Sequence, residues 1–164
     1  MIGPLASGRH HDRATLLLSI PLGLAAASAW GTVAGSMAAA AFLVGGLWLS
    51  PDLDTHSNAL QRWGPLGGIW WPYRRLIAHR SIWSHGPLIG TTTRLLLLLS
   101  WVLLASCFIP PLTPGLVMTT LQENIQRQPH PTAALLLGLE ASVWLHLIQD
   151  GDPWPAEWTR RRRR

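Results

Sequence analysis

His146 and Asp150 lie four residues apart at the end of an apolar run. On a continuing helix that spacing stacks both side chains on one face, where an imidazole and a carboxylate can chelate one cation. Three more groups of the same residue types precede them. His10, His11 and Asp12 lie near the start of the chain, and Asp52, Asp54 and His56 follow the break at Ser50-Pro51. His79 and His85 bracket an Arg and two Ser in the run His79-Arg80-Ser81-Ile82-Trp83-Ser84-His85-Gly86-Pro87. Neutral imidazole and ionised carboxylate suit a divalent transition metal, zinc before manganese or iron. Cys107 is the single cysteine and lies inside an apolar run, so there is neither a disulfide framework nor a Cys-based zinc motif, and a metal must be held by His and Asp. Two or more such ions would activate a water and clamp a phosphate. Arg80 could offer that phosphate a bidentate contact, or anchor to lipid head groups.

Each motif also has an ordinary explanation when taken alone. The His146/Asp150 pair can be a hydrogen-bonded pair, Asp52 and Asp54 can cap a turn after a helix stopped by Pro51, and the 79–87 run can be a structural loop. Their common position argues otherwise, and four apolar segments, 14–30, 33–49, 88–109 and 132–148, set that position. If the first two segments form one hairpin and the last two another, every His/Asp group falls at the same end of the bundle. Glu140 precedes His146 by six residues, about 120° around a helix, and stays outside the cluster. His130, between Pro129 and Pro131, reads as a loop residue at the opposite end.

Hydrophobic residues make up 48% of the 164 and charged residues 13%, against roughly 25% charged in soluble domains, which points to a membrane protein. Several of the segments are nearer 17 residues than the roughly 20 that span a bilayer, and Arg94 sits inside the third, so a soluble all-helical domain is the competing reading. Charge placement favours the membrane. The basic residues are all Arg; Arg9, Arg13, Arg62, Arg74, Arg75, Arg80, Arg94 and Arg160 to Arg164 fall on the side of the termini and Arg127 alone on the other. That asymmetry predicts termini and His/Asp cluster in the cytoplasm. Gly23, Gly31, Gly35, Gly45, Gly46 and Ala38 to Ala41 would permit close helix approach in the first hairpin. Trp63, Trp70, Trp71 and Tyr73, beside Arg74 and Arg75, suit an aromatic belt at the interface. Between Pro110 and Pro131, residues Thr119 to Gln128 suggest a short polar helix on the far side. The charged opening, the apolar stretch and Ala27-Ser28-Ala29 also resemble a cleavable signal peptide; His10, His11, Asp12, Pro21 and Gly23 argue against it. The expected organisation is one helical membrane domain over 1–159 and a basic tail over 160–164 that meets lipid head groups. Nucleic acid is disfavoured, because no basic patch with interleaved aromatics accompanies the tail.

The order and spacing of the motifs resemble the bacterial membrane-bound metal-dependent hydrolases, and especially their relatives classed as metal-binding proteins. The likeness covers most of the chain and rests on Ser7-Gly8-Arg9-His10-His11-Asp12-Arg13, Leu49-Ser50-Pro51-Asp52-Leu53-Asp54, the 79–87 run and His146-Leu147-Ile148-Gln149-Asp150. These proteins are distantly similar to the zinc-dependent phospholipase C and P1 nuclease group, whose helical fold holds clustered zinc with a His, an Asp, a His and a His-x-x-x-Asp. The resemblance implies an all-α four-helix membrane bundle with short interfacial helices and loops, in the bacterial inner (plasma) membrane. It casts His11, Asp54, His79 or His85, His146 and Asp150 as ligands, and Asp52 shares the turn of Asp54. The later His and Glu ligands of the soluble enzymes are missing here, which favours one or two ions over three. The function expected is a metal-binding membrane protein, hydrolysing a phosphoester or lipid-like substrate at the cytoplasmic face. A non-catalytic scaffold pinned by a structural metal is the alternative. Metal transport ranks below both, because transporter sites usually sit near the bilayer midplane and these groups cluster at span ends.

Overall fold

The computed structural model describes residues 8–151, and among them it is all helical. Ser7 of the first motif and the 160–164 tail lie outside the described residues. Four long helices, α1 (Gly8–Trp30), α2 (Thr32–Leu47), α6 (Ile89–Ser106) and α8 (Pro129–Gln149), carry the apolar segments. Between α2 and α6 come a 3₁₀ turn (Pro51–Asp54), α3 (Asn58–Arg62), a second 3₁₀ stretch (Gly64–Trp70), α4 (Trp71–Leu76) and α5 (Ile82–His85); α7 (Pro114–Arg127) precedes α8. The boundaries move outward from the apolar segments. α1 begins at Gly8 and runs through Pro21, and α8 begins at Pro129. His130 is therefore in the first turn of a helix rather than a loop, stacked on Trp30 with ring centroids 6.1 Å apart. The helix expected over Thr119–Gln128 starts earlier, at Pro114, because Thr113 caps it by accepting from the Leu116 amide.

α2 lies between α1 and α8, and small residues set its distance from both. A Cβ on Gly35 would collide with Ala27 and the Gly23 carbonyl of α1, and one on Gly138 of α8 would collide with the Ala38 carbonyl of α2. Gly31 does a different job from the packing role expected of it. Nothing lies within 4 Å of its would-be side chain, and its φ of 86° makes the tight turn between α1 and α2. The aromatic belt also needs correction. Trp70 and Tyr73 are buried, with Trp63 meeting Trp70 edge-on at 5.3 Å and Trp70 meeting Tyr73 at 5.8 Å, so they form a core cluster with Leu53 and Leu60 under α6. Trp71 alone of the four is broadly exposed, at 65%.

Four helices are long and apolar enough to cross a membrane: Gly8–Trp30, Thr32–Asp54 (α2 continued through the 3₁₀ turn), Ile89–Ser106 and Pro129–Gln149. Their outward faces are apolar too, with Leu17, Ile20 and Leu24 of α1 and Val102 and Leu104 of α6 exposed. A helix apolar on both its packed and its open face suits lipid, and this supports membrane association.

Candidate metal centre

Ser50 arranges the first carboxylates. Its Oγ accepts from the Asp52 amide and caps the 3₁₀ turn, which leaves both Asp side chains available for longer-range contacts. Asp54 is buried and its Oδ1 lies 2.9 Å from His79 Nδ1. Asp52 remains partly open, and its Oδ1 lies 3.5 Å from both His85 Nε2 and His146 Nε2. From the first turn of α1, His11 Nε2 lies 3.3 Å from Asp150 Oδ1. Asp150, the C-cap of α8, turns its Oδ2 to His146 Nε2 at 3.6 Å and to Arg80 Nη2 at 3.4 Å. All seven residues expected as ligands, together with Arg80, therefore meet at one end of the bundle, contributed by α1, the turn after α2, the segment before α6, and α8. Two separate triads lie within this cluster, His11/His146/Asp150 and Asp52/His79/His85, with donor atoms within 4.8 Å of one another in each.

Several features fit a cation. Asp54 Oδ2, His85 Nε2 and His146 Nε2 are buried and have no hydrogen-bond partner. Such orphaned atoms are costly unless something else satisfies them. The 3.5 and 3.6 Å separations around His146 and Asp52 are too long for hydrogen bonds. They are close to the about 3.3 Å between atoms sharing one tetrahedral ion at about 2.0–2.1 Å. Tautomers are set from behind. With its one proton given to the Ala78 or Ser81 carbonyl, each 3.2 Å away, the Ser84 hydroxyl accepts from His85 Nδ1 at 2.9 Å. His85 Nε2 is thereby left with its lone pair facing Asp52. Asp54 does the same for His79 by accepting at Nδ1. A ligating histidine characteristically has its second nitrogen anchored in this way. Burial works against ionisation of Asp150, but the hydrogen bond from His11 and the charges of His146 and His11 outweigh it and the repulsion of Asp52, and its carboxyl is held below the usual range.

Beside the cluster opens a cavity of about 250 Å³. His11, Asp52 and His146 line it, together with Ser57, Asn58 and Arg62 among others. Arg62 is committed to Asp12 and to the Leu47 carbonyl, so it ties the start of α1 to the end of α2. His56 is exposed at the cavity edge and His10 is exposed on α1. Glu140 is outside the cluster, as its angle on α8 requires. It is nonetheless buried, accepting from the Leu88 amide at 2.9 Å and from the Thr91 hydroxyl at 2.8 Å. Arg94 is also buried, donating to the Ser84 carbonyl at 2.7 Å. Neither residue belongs to the His/Asp motifs. The available signal was that they are opposite charges inside two different apolar segments.

Residues 6–162 match the family described as uncharacterized metal-binding protein (DUF2227), and the chain belongs to that family. An uncharacterized protein of Aquifex aeolicus (strain VF5) is 44% identical over 55 residues, which are 33% of this chain and 38% of that one. No solved structure matches the chain.

Proposed function

We propose that this member of the metal-binding family is an integral membrane protein holding one or two divalent transition metal ions, zinc foremost, at its cytoplasmic face, and that the centre hydrolyses a phosphoester or lipid-like substrate. The observation that carries it is the convergence of four imidazoles and three carboxylates on one bundle end, with His85 Nε2 and His146 Nε2 buried, unbonded and both aimed at Asp52 Oδ1. On this reading His11, His146 and Asp150 hold one ion and Asp52, His79 and His85 the other, with Asp52 between them. Asp54 then orients His79 from behind, a narrower part than direct ligation. The all-nitrogen-and-oxygen donor set accommodates zinc and leaves manganese or iron as alternatives.

A metal in this position supplies Lewis-acid polarisation of an ester oxygen and activates a water. The chain's own residues supply the rest. The cavity beside His11, Asp52 and His146 gives a compact substrate access to the centre, and Asp52, with its side chain 35% exposed, faces that opening. Arg80, in a left-handed conformation at φ 57°, sits on Asp150 and is placed to orient a phosphate. The His, Asp, His, His-x-x-x-Asp order also supports the more distant likeness to the zinc-dependent phospholipase C and P1 nuclease group. The reading is tested on purified full-length protein. At least one equivalent of Zn²⁺ is expected to copurify, and hydrolysis of some member of a phosphoester and phospholipid panel should disappear on chelation and return with Zn²⁺. Ligands bind metal only when deprotonated, so metal content should fall on acidification. Protein free of metal at neutral pH sinks the proposal. Metal-bound protein that is inert across the panel but melts on chelation favours the structural-pin reading, which the near-complete burial of His85 and His146 supports.

The cytoplasmic assignment rests on the distribution of Arg. Reporter fusions at both termini and at Thr119 of α7 test it. Both termini are expected in the cytoplasm and Thr119 on the far side; a cytoplasmic Thr119 with both termini outside reverses the orientation.

A further inference from the structure

Two of the four histidines in the cluster, His79 and His85, come from the segment between α4 and α6, whose only regular element is the single turn of α5 that ends at His85, and precise placement is hard to maintain there. The segment contains Arg80 at φ 57° and ends at Leu88, φ 62°, a conformation that non-glycine residues adopt only when something holds them there. The holding group is on α8. Glu140 Oε1 accepts from the Leu88 amide and Oε2 from the Thr91 hydroxyl, in the first turn of α6. One turn further on, Arg94 reaches back: its Nη1 donates to the Ser84 carbonyl, its Nη2 lies 3.4 Å from the same Thr91 hydroxyl, and the Tyr73 hydroxyl is 3.5 Å away. Gly90 permits this approach, since a Cβ there would strike the Ser84 carbonyl. Ser84, fully buried, sets the tautomer of His85 next to it. The chain of contacts therefore runs from Glu140 through Thr91, Arg94 and Ser84 to an imidazole of the cluster. Burying both an acid and a guanidinium is costly, and each has hydrogen-bonded partners that satisfy it at this spot.

We propose that Glu140 and Arg94 are positioning residues for the metal centre: they lock the 79–88 segment against α6 and α8, so that His79 and His85 are presented to the ion by a preformed strap. The proposal rests on the metal-centre reading above. Because α8 also carries His146, the strap and the opposite side of the centre are registered on one helix. Ligand-supporting contacts of this kind are commonly worth 10–100-fold in metal affinity.

The test uses full-length protein in detergent, with Zn²⁺ as the probe in a chelator competition and amide hydrogen exchange on the metal-free form. Glu140→Leu and Arg94→Met are expected to raise exchange across 84–88 at least about tenfold and to weaken Zn²⁺ binding about 10–100-fold. Glu140→Gln should stay within about threefold of wild type, because its amide can still accept from Leu88 and donate to Thr91. A residue needed only for bulk packing would not be rescued by Gln and lost with the similarly sized Leu. Thr91→Val removes one hydroxyl at constant volume and serves if Glu140→Leu fails to fold; the same direction of change is expected. Folded variants with wild-type exchange and wild-type Zn²⁺ affinity overturn the proposal. A wild-type protein that takes up no Zn²⁺ overturns the metal-centre reading instead, and the exchange data then decide the strap alone.

Discussion

Replacing Asp52 by Ala is expected to abolish tight metal binding while leaving the protein folded. Asp52 Oδ1 is 3.5 Å from His85 Nε2 and from His146 Nε2, so one oxygen serves both halves of the cluster. Its backbone role is independent of the side chain, since the Asp52 amide donates to Ser50 Oγ and the turn keeps its cap. Structural zinc sites release about 10–16 kcal/mol on binding, or roughly 3 kcal/mol for each of four ligands, so losing one should weaken binding more than about a hundredfold. Losing a shared ligand should affect both ions together. Asp54→Asn should be milder, about 10–100-fold, because Asp54 acts through His79. Asp12→Ala, which removes the acid paired with Arg62, should leave metal affinity within about twofold if it is not a ligand. Chelator competition with Zn²⁺ ranks the three. An Asp54→Asn protein weaker than Asp52→Ala would exchange the roles assigned to these carboxylates.

The convergence of the motifs was legible because it depended on topology alone. Apolar segment, polar cluster and apolar segment in alternation bring His11, Asp52, His85 and His146 to one end whatever the detailed packing, provided the segments form hairpins. What could not be read depends on rotation and register. That Asp54 faces Nδ1 of His79 while Asp52 faces Nε2 of His85 and His146 follows from the 3₁₀ turn at Pro51–Asp54, which points the two carboxylates in different directions. Glu140 was correctly left out of the cluster by its angle on α8, yet its partner at Leu88 is on a backbone whose φ no sequence pattern announces. The burial of Trp70 and Tyr73 was hidden for the same reason. A Pro/Gly-rich aromatic stretch has the composition of an interfacial belt, and only the return of α6 over it makes it a core.

Register also governs the second large effect, at the contact between α2 and α8. Gly138→Ala should gain up to about 1 kcal/mol of helix propensity. Against this, the added methyl meets the Ala38 carbonyl and comes within 3.0 Å of Ala41 Cβ, so the helices must separate, at an overpacking cost of about 1–3 kcal/mol. A carbonyl within a helix cannot swing aside. Gly45 differs although it sits in the same seam. Its methyl's worst contact is the Ser142 hydroxyl, which can give up its bond to Leu139 and rotate, leaving Ser142 Cβ at 3.0 Å and Leu139 Cα at 3.3 Å to yield by a few tenths of an ångström rather than a buried carbonyl. Gly68 has nothing within 4 Å. The expected order of thermal destabilisation in detergent is therefore Gly138→Ala above Gly45→Ala above Gly68→Ala, with Gly138→Leu failing to fold. The same order should appear in Zn²⁺ affinity, because α2 leads into Asp52 and α8 carries His146, and a seam pushed open displaces one from the other. If Gly138→Ala melts like Gly68→Ala, the close approach of α2 and α8 is not what holds the two sides of the centre together.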